Sequence, residues 1–243
     1  MEVIKVKNYD AMSEKACSII MNRVINLDNP VLGLATGSTP EGLYEYLINT
    51  YKEGEISFKD TATFNLDEYV GLAPSNPNSY HYYMNEKLFK HIDIPDKLAH
   101  VPNGSAQDLD SECRHYEQLM RDRKQIDVQI LGLGLNGHIG FNEPGTSFES
   151  RTHVIDLDET TRKANARFFD APEDVPNKAI TMGLETIMDS KEIILLVSGA
   201  RKAEPLARLL HGEVSEEFPA SILQNHKDVV IIADEASLSE LEI

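Results

Sequence analysis

Short runs of apolar residues alternate along the chain with longer stretches in which apolar positions recur every three or four residues. These runs predict buried strands at 31–35, 61–66, 126–133, 193–197 and 229–232. The last two are nearly continuous in β-branched residues and leucine, which is typical of parallel strands covered on both faces. The helical spacing is clearest in three stretches, which would each present one apolar face to a core. These stretches are 16–27, 43–51 and 203–210.

The order of strand, helix and strand predicts the fold class. A helix between two parallel strands returns the chain to the same end of the sheet through a right-handed crossover. We therefore expect an α/β fold, in which residues 1–243 form a single three-layer αβα domain around an open, mostly parallel, Rossmann-like sheet. No repeat, low-complexity tract or linker divides the sequence. In such a sheet, ligands bind at the carboxyl ends of the strands, so the loops found there are the places to search for chemistry.

Composition narrows the partners that this domain can have. The chain of 243 residues contains 40 Asp and Glu against 23 Lys and Arg, a formal net charge of −17. An average surface this acidic repels nucleic acid and anionic membranes, and an anionic substrate would need a local group of cations. No stretch approaches the roughly 20 apolar residues of a membrane span. Cys17 and Cys113 lack metal-site spacing, so we expect reduced thiols in a cytoplasmic protein.

The loop after the first of these strands has the features of an anion site. It consists of Thr36, Gly37, Ser38 and Thr39, followed by Pro40, which is well suited to start a helix. Small residues expose backbone N–H groups and hydroxyls add donors, so a helix that begins here would favour a phosphate. A Ser/Thr-capped helix without a ligand is the alternative, and for this loop alone it is slightly favoured.

Two further segments supply cations in this acidic chain. The loop 198–202 again places small residues before a helix, and it ends in Lys202, which would be either a phosphate contact or an exposed helix lysine. Arg162, Lys163 and Arg167 form a basic stretch, and one of them would complete an anion pocket.

Two adjacent carboxylates, Asp67 and Glu68, follow the strand 61–66. Carboxylates at a strand end suggest acid–base chemistry. A helix cap or a solvated charge pair is the alternative, and for the pair alone it is favoured. No cluster with metal-ligand spacing accompanies them.

The most informative segment is the glycine-rich stretch 132–145, which contains His138 and Glu143. Glycines allow tight turns and close approach to a ligand. A histidine titrates near neutral pH, and a neighbouring carboxylate would fix its tautomer. The alternative is a flexible loop with a surface histidine, but the apolar Ile139 and Phe141 between the glycines argue against it.

Together these segments resemble the glucosamine-6-phosphate deaminases. The resemblance runs from residue 31 to about 220 and is carried by 34–40, 65–69, 132–145 and 150–152. Its most specific part is the block Gly-His-Ile-Gly-Phe-Asn-Glu-Pro-Gly at 137–145. This block distinguishes the deaminases from the 6-phosphogluconolactonases, which share their fold.

The resemblance implies a reaction and a role for each acid–base residue. Glucosamine 6-phosphate and water would become fructose 6-phosphate and ammonia, with no metal or organic cofactor. His138 would open the pyranose ring by moving a proton between the ring oxygen and the C1 hydroxyl. Glu143 would hold and polarise His138, and Asn136 would assist. Asp67 would move the C2 proton to C1, and we expect it to keep its ordinary pKa of about 3.9.

The resemblance also implies a phosphate pocket and a lid. The lid would be mobile and helical and would span 147–179. The pocket would consist of a loop and a clamp of two cations, namely Thr36, Gly37, Ser38, Thr39, Arg167 and Lys202.

The chain departs from the family at two places. Many relatives have Asp at the position of Asn136, and an amide carries no charge, so the pKa of His138 should be lower here than in those relatives. Members activated by N-acetylglucosamine 6-phosphate have basic residues where this chain has His153, Ile155 and Asp156. We therefore expect no such activation, and both a monomer and a homo-oligomer remain open.

Two other functions compete with deamination. The first is a 6-phosphogluconolactonase-like hydrolase of the same fold, which would not need a C2 base. The second is a non-catalytic sugar-phosphate sensor. Sensors of this type usually carry a DNA-binding module, and this acidic chain has no room for one.

Overall fold

Strands and helices alternate through most of the chain. The computed structural model describes residues 1–157, 162, 169, 171 and 174–241. Each predicted strand and each predicted helix overlaps an observed one. The strands are β1 (Glu2–Val6), β2 (Val31–Leu34), β3 (Ala62–Asn65), β4 (Asp67–Tyr69), β5 (Ala99–His100), β6 (Val128–Gly132), β7 (His153–Asp156), β8 (Lys178–Thr181), β9 (Glu192–Val197) and β10 (Val229–Asp234). The α-helices are α1 (Tyr9–Asn26), α2 (Glu41–Lys52), α3 (Tyr80–Lys87), α4 (Leu109–Asp122), α5 (Leu184–Met188) and α6 (Ala203–His211).

The main sheet has seven strands in the order β1-β10-β9-β6-β2-β3-β5. Every neighbouring pair in it is parallel. The chain winds from β2 towards β3 in one direction and from β6 towards β9 in the other. The winding therefore reverses between β2 and β6, and in open parallel sheets a ligand crevice lies at the carboxyl ends of two such strands.

Helices cover both faces of this sheet, which confirms the predicted three-layer architecture. Alternate residues of a strand point to opposite faces, so both sets of side chains must be apolar. In β2, Leu32 and Leu34 pack with side chains of α1 and α2. Val31 belongs to the core on the other face, with side chains of α4, α5 and α6. Burial of one such side chain contributes roughly 1.5–3 kcal/mol, which explains why the continuous apolar runs of the sequence were reliable signals.

A second, smaller sheet was not predicted. It is antiparallel, in the order β4-β8-β7, and it contains Asp67, which pairs with Thr181. Residues 67–69, which the sequence places just after the strand 61–66 and which we interpreted as a loop, therefore form a strand of their own. The two sheets meet at Leu66, whose N–H bonds to the carbonyl of Leu34 in the main sheet and whose carbonyl accepts from Met182 after β8. The chain thus turns out of the main sheet just before Asp67.

The segment 147–179, predicted as a helical lid, begins with residues that are bonded to the core. Ser150 Oγ accepts from the N–H of Leu184 at 2.9 Å, and the Thr152 hydroxyl donates to Glu117 at 2.6 Å. The strand β7 and the start of β8 also lie in this segment. The rest of the predicted lid, at 158–161, 163–168, 170 and 172–173, lies outside the described residues. Within the described ranges, none of the helices is long and apolar enough to span a membrane.

Candidate active site

The four segments singled out from the sequence follow four neighbouring strands. The strands β9, β6, β2 and β3 are adjacent in the sheet, in that order. The loop 198–202 follows β9, the glycine-rich segment follows β6, the loop 36–40 follows β2, and Asp67 follows β3. Because these strands are parallel, all four segments lie at the same end of the sheet, where the carboxyl ends of the strands meet.

Two tyrosines hold the loop after β2. The hydroxyl of Tyr83 donates to the carbonyl of Gly37 at 2.6 Å, and that of Tyr9 donates to the carbonyl of Ser38 at 2.9 Å. In a trans peptide unit the N–H points away from the C=O. The N–H groups of Ser38 and Thr39 therefore point away from the tyrosines, just before the first turn of α2. Gly37 has a φ of 89°, a conformation that glycine adopts without strain.

Lys202 connects the loop after β9 to the glycine-rich segment. Its Nζ donates to the carbonyl of Leu133 at 2.5 Å. The preceding residue, Gly132, faces the loop after β2, since a Cβ on it would lie 4.0 Å from Cβ of Thr39. Burial, followed by the charge of Arg201, lowers the pKa of Lys202. The bond to Leu133, which follows Gly132 at the end of β6, holds the ammonium group at the crevice between β2 and β6.

The other predicted cations lie elsewhere or outside the described part of the chain. Arg167 and Lys163 are outside it, so the place of Arg167 in the phosphate clamp stays a prediction. The guanidinium of Arg162 donates to the carbonyl of Val175 at 3.3 Å.

Asn136 lies between His138 and Glu143. Its Nδ2 donates to Oε2 of Glu143 at 2.7 Å, and its Oδ1 lies 2.6 Å from Nδ1 of His138. An ionised carboxylate only accepts hydrogen bonds, so the amide must turn its nitrogen towards Glu143 and its oxygen towards the histidine. That oxygen needs a donor, so Nδ1 carries the proton and Nε2 presents a lone pair. We expected Glu143 to hold His138 directly, but its Oε2 lies 3.7 Å from Nδ1 and the nearer polar contact is the amide.

The imidazole of His138 is partly enclosed. It packs over Gly134, where a Cβ would come within 2.4 Å of the ring, so only glycine fits there. Burial is the largest influence and lowers the pKa of His138, Glu143 raises it, and Lys202 lowers it. The neutral imidazole is therefore favoured, which suits a group that must accept a proton.

Asp67 faces the glycine-rich segment from the second sheet. A Cβ on Gly140 would lie 3.6 Å from Oδ2 of Asp67, so the carboxyl group is close to the turn that follows His138. Only 6% of Asp67 is exposed. Burial, followed by the charge of Glu68, raises the pKa of Asp67 to about 8. The expectation of an ordinary pKa is therefore wrong, because it took no account of burial.

Glu68 has a different environment from its neighbour. Its carboxylate accepts the backbone N–H groups of Tyr80 and His81, the first two residues of α3. The helix-cap alternative considered for the Asp67–Glu68 pair is therefore correct for Glu68.

One residue that holds the site together, Thr181, had no local sequence signal. Thr181 of β8 accepts the N–H of Phe141 at 3.2 Å. Asn142 donates to the carbonyls of Ile139 at 2.9 Å and Met182 at 2.8 Å. These bonds tie the glycine-rich segment to the strand that pairs with Asp67. The sequence of β8, Lys-Ala-Ile-Thr, is neither a continuous apolar run nor long enough to show a period, which is why Thr181 was missed.

An aromatic cluster packs beside Asp67. The ring of Tyr69 lies 4.8 Å from that of Tyr80 and 5.7 Å from those of Phe141 and Phe169, measured between centroids. Tyr80 is therefore a packing residue. The described residues contain no group of three or more His, Cys, Asp or Glu side chains placed to hold a metal ion. Cys17 and Cys113 are both free and buried.

The geometry first defines a class of protein. His138 and Lys202 come from the segments on the β6 side of the crevice, and Asp67 and the peptide loop 36–40 come from the β2 side. This combination is typical of α/β enzymes that act on small anionic ligands at the switch point of the sheet.

Comparison with known proteins narrows this class. The family model of glucosamine-6-phosphate isomerases/6-phosphogluconolactonase matches residues 7–232. The glucosamine-6-phosphate deaminase of Oceanobacillus iheyensis is 60% identical over 241 residues, which cover 99% of this chain and 96% of that protein. Glucosamine-6-phosphate deaminase 1 of Bacillus subtilis is 51% identical over 239 residues, which cover 98% of this chain and 99% of that protein. The chain therefore belongs to the glucosamine-6-phosphate isomerase/6-phosphogluconolactonase family.

Solved structures resemble the chain at two levels. A monomeric glucosamine-6-phosphate deaminase superposes with a TM-score of 0.97 at 50% identity and covers 99% of this chain and 100% of that one. The 6-phosphogluconolactonase of Thermotoga maritima superposes with a TM-score of 0.76 at 22% identity and covers 96% of this chain and 99% of that one. The second likeness concerns the fold alone.

Proposed function

We propose that this protein is an enzyme that converts glucosamine 6-phosphate and water into fructose 6-phosphate and ammonia. The observation that carries the proposal is the approach of Asp67 to the turn after His138, where a Cβ on Gly140 would lie 3.6 Å from Oδ2 of Asp67. Isomerisation coupled to deamination needs two separate proton transfers, one at oxygen and one at carbon. The deaminases that are 51% and 60% identical to this chain support the same reaction.

Ring opening falls to His138. Nδ1 donates its proton in a hydrogen bond to Oδ1 of Asn136, and the two atoms are 2.6 Å apart. Nε2 is therefore available to take the proton of the C1 hydroxyl and to deliver it to the ring oxygen. Glu143 keeps the amide of Asn136 in the required orientation through a bond of 2.7 Å. Both Asn136 and Glu143 thus act through the histidine tautomer.

Asp67 transfers the proton between the carbon atoms C2 and C1. Its carboxylate removes the proton from C2 of the open aldehyde, the substrate's ammonium group at C2 gives a proton to the C1 oxygen, and a neutral enolamine forms. The same carboxyl group then gives its proton to C1, water adds at C2, and ammonia leaves. A base is most effective when its pKa is near the working pH, so a pKa of about 8 makes Asp67 a stronger base than an exposed aspartate.

The phosphate binds between the loop after β2 and Lys202. The N–H groups of Ser38 and Thr39 and the ammonium of Lys202 supply donors and positive charge, which an anion needs in a chain of net charge −17. We assign Thr36 and Gly37 to the same cradle. We also place Arg167 in the clamp, on the family resemblance.

The remaining parts of the proposal concern the molecule as a whole. Residues 1–243 would form one catalytic domain, in which 147–179 closes over the substrate. Because Ser150 and Thr152 are bonded to the core, the moving part of this lid would begin after Thr152. We propose a cytoplasmic monomer that binds neither nucleic acid nor membrane and needs no cofactor. The free thiols of Cys17 and Cys113 and the likeness to a monomeric deaminase support this view.

One assay tests the proposal. Purified protein is incubated with glucosamine 6-phosphate, and ammonia and fructose 6-phosphate are measured with and without a chelator. We expect equal amounts of both products and no effect of the chelator. Hydrolysis of 6-phosphogluconolactone without ammonia release would instead identify a lactonase, and binding without turnover would identify a sensor.

A further inference from the structure

We propose that Glu68 is a positioning residue for this reaction, which anchors the strand of Asp67 to helix α3 and places a fixed negative charge on the opposite face of that strand. The inference rests on the proposed function, because it concerns the base assigned to C2.

The carboxylate of Glu68 is buried and fully engaged with backbone donors. Only 2% of the residue is exposed. Its Oε1 accepts the N–H of Tyr69 at 2.8 Å and that of Tyr80 at 2.9 Å, and its Oε2 accepts the N–H of His81 at 2.9 Å. Burial raises the pKa of Glu68 above its ordinary value, and these three N–H groups limit the rise. Donors at the positive end of a helix favour the ionised carboxylate.

Asp67 and Glu68 project from opposite faces of the same strand. Successive side chains in a strand alternate in direction. Asp67 points towards Gly140 in the glycine-rich segment, and Glu68 points towards the start of α3. The negative charge of Glu68 therefore acts on Asp67 across one strand, and the substrate need not contact Glu68.

Among the described residues, three further titratable groups near the pair are uncharged near neutral pH, namely Tyr80, Tyr116 and His81. Tyr80 from α3 and Tyr116 from α4 both sense the charge of Asp67, but burial raises the pKa of each hydroxyl well above its ordinary value. His81 follows Tyr80 at the helix start, and burial lowers its pKa. Within the described part of the chain, Glu68 is thus the charged neighbour that raises the pKa of Asp67, in addition to burial.

This arrangement has a consequence for the proposed base. A neighbouring negative charge makes the Asp67 carboxylate more basic, but it also requires a higher pH for ionisation. Removal of the charge should make Asp67 ionise at lower pH and weaken it as a base. The effect is one of charge, so it is distinct from any loss of packing at α3.

The substitution Glu68→Gln tests the charge. It keeps one carbonyl acceptor for α3 and removes the negative charge. We expect the acidic limb of the pH profile of kcat/KM for glucosamine 6-phosphate to move to lower pH and the plateau to fall. Glu68→Asp keeps the charge, so its acidic limb should stay near that of the wild type even if kcat falls.

A matched control is Glu117→Gln in α4. Glu117 is also a buried carboxylate, and it accepts the N–H of Thr152 at 2.9 Å and the hydroxyl of Thr186 at 2.6 Å. Its loss should lower thermal stability without moving the acidic limb. An unmoved limb in Glu68→Gln, or an equal shift in Glu68→Gln and Glu68→Asp, would overturn the proposal.

A second measurement does not depend on turnover. Titration of the Asp67 carboxyl carbon by ¹³C NMR, in wild type and in both variants, reports its ionisation directly. Fructose 6-phosphate is left out, so that no ligand charge contributes. If the wild type released no ammonia, the proposed function would fail, but a lower titration midpoint in Glu68→Gln alone would still support the charge effect. Identical midpoints in all three proteins would overturn it.

Discussion

The amide oxygen of Asn136 lies 2.6 Å from Nδ1 of His138, and the same side chain donates to Glu143. An uncharged group therefore lies between the histidine and the nearest carboxylate. This arrangement fixes the tautomer of the imidazole without a negative charge in direct contact with Nδ1. Burial then lowers the pKa of His138, so the ring is ready to accept a proton.

We expect Asn136→Asp to raise the pKa of His138. A carboxylate next to Nδ1 favours the imidazolium, and the new side chain would also repel Glu143 unless a proton is shared between them. NMR titration of the His138 Cε1–H resonance measures the change, and the other histidine resonances in the same spectra serve as the reference. A midpoint equal to that of the wild type would show that the amide does not set the charge of the ring.

Asp67→Asn should abolish deamination and leave ligand binding nearly unchanged. The amide has a shape similar to the carboxyl group but cannot accept the C2 proton, and general-base catalysis contributes about 10²–10⁴-fold to a rate. Ammonia release gives the turnover, and calorimetry with fructose 6-phosphate gives the affinity. Asp122→Asn, at an exposed position at the end of α4, is the matched control and should keep full activity. Near-normal turnover in Asp67→Asn would remove Asp67 from the mechanism.

The same substitution should change how stability depends on pH. The pKa of Asp67 is about 8 in the folded chain and ordinary in the unfolded one. Above the ordinary pKa the unfolded chain releases this proton while the folded chain keeps it, so Asp67 lowers stability progressively as pH rises towards 8. The loss is at most about 1.4 kcal/mol per pH unit for one proton.

Asp67→Asn removes this loss. We therefore expect the difference in Tm between the variant and the wild type to grow in favour of the variant from acidic to mildly alkaline pH. One kcal/mol corresponds to roughly 2–4 °C in a chain of this size. Thermal unfolding followed by circular dichroism at several pH values measures the difference. A constant difference would mean that Asp67 titrates alike in both states.

Lys202→Met should weaken the binding of the phosphate group. The substitution keeps the length of the side chain and removes a charged donor, which costs about 1.5–3 kcal/mol, or roughly a 10–150-fold rise in KM for glucosamine 6-phosphate. Lys227→Met is the control, because Lys227 is exposed and precedes β10 at the opposite end of the sheet. Glucosamine without phosphate separates the roles, since Lys202→Met should lower its residual turnover far less than the turnover of glucosamine 6-phosphate. A selective loss with glucosamine would contradict a phosphate role.

N-acetylglucosamine 6-phosphate should leave the rate curve for glucosamine 6-phosphate hyperbolic, with unchanged half-saturation. The strand β7 has His153, Ile155 and Asp156 where activated members of the family have basic residues. These side chains do not form the cationic cluster that a second phosphate would require. Initial rates measured with and without the compound test this expectation, and a marked drop in half-saturation would contradict it.

The fold was predictable because its main strands are buried on both faces. Runs such as 193–197 and 229–232 consist almost entirely of apolar residues, and the structure places both in the middle of the parallel sheet. The second sheet was not predictable, because the pairing of Asp67 with Thr181 joins two short strands that are far apart in sequence. Neither strand is long enough to show a period.

The candidate site was predictable in its residue types but less so in its electrostatics. Glycines around His138 and carboxylates after β3 mark the positions of interest in the sequence. The raised pKa of Asp67 depends on burial by other elements. The bond between Asn136 and Glu143 depends on how the glycine-rich segment folds back on itself. The division of roles between Asp67 and Glu68 depends on which face of β4 meets α3.

The two outermost strands of the main sheet, β1 and β5, can join the sheet at different stages of synthesis. Within the described residues, the first strand, β1, has β10 as its one neighbour in the main sheet. Glu2 of β1 pairs with Val230 of β10, and almost the whole chain separates these two residues. During synthesis, residues 2–6 must therefore wait, unpaired, until the segment 229–234 has left the ribosome. The opposite half, from β6 through β2 to β5, can assemble earlier from its own residues. Folding on the ribosome should thus proceed from that side, and contacts between distant segments such as β1 and β10 should make the final step slow.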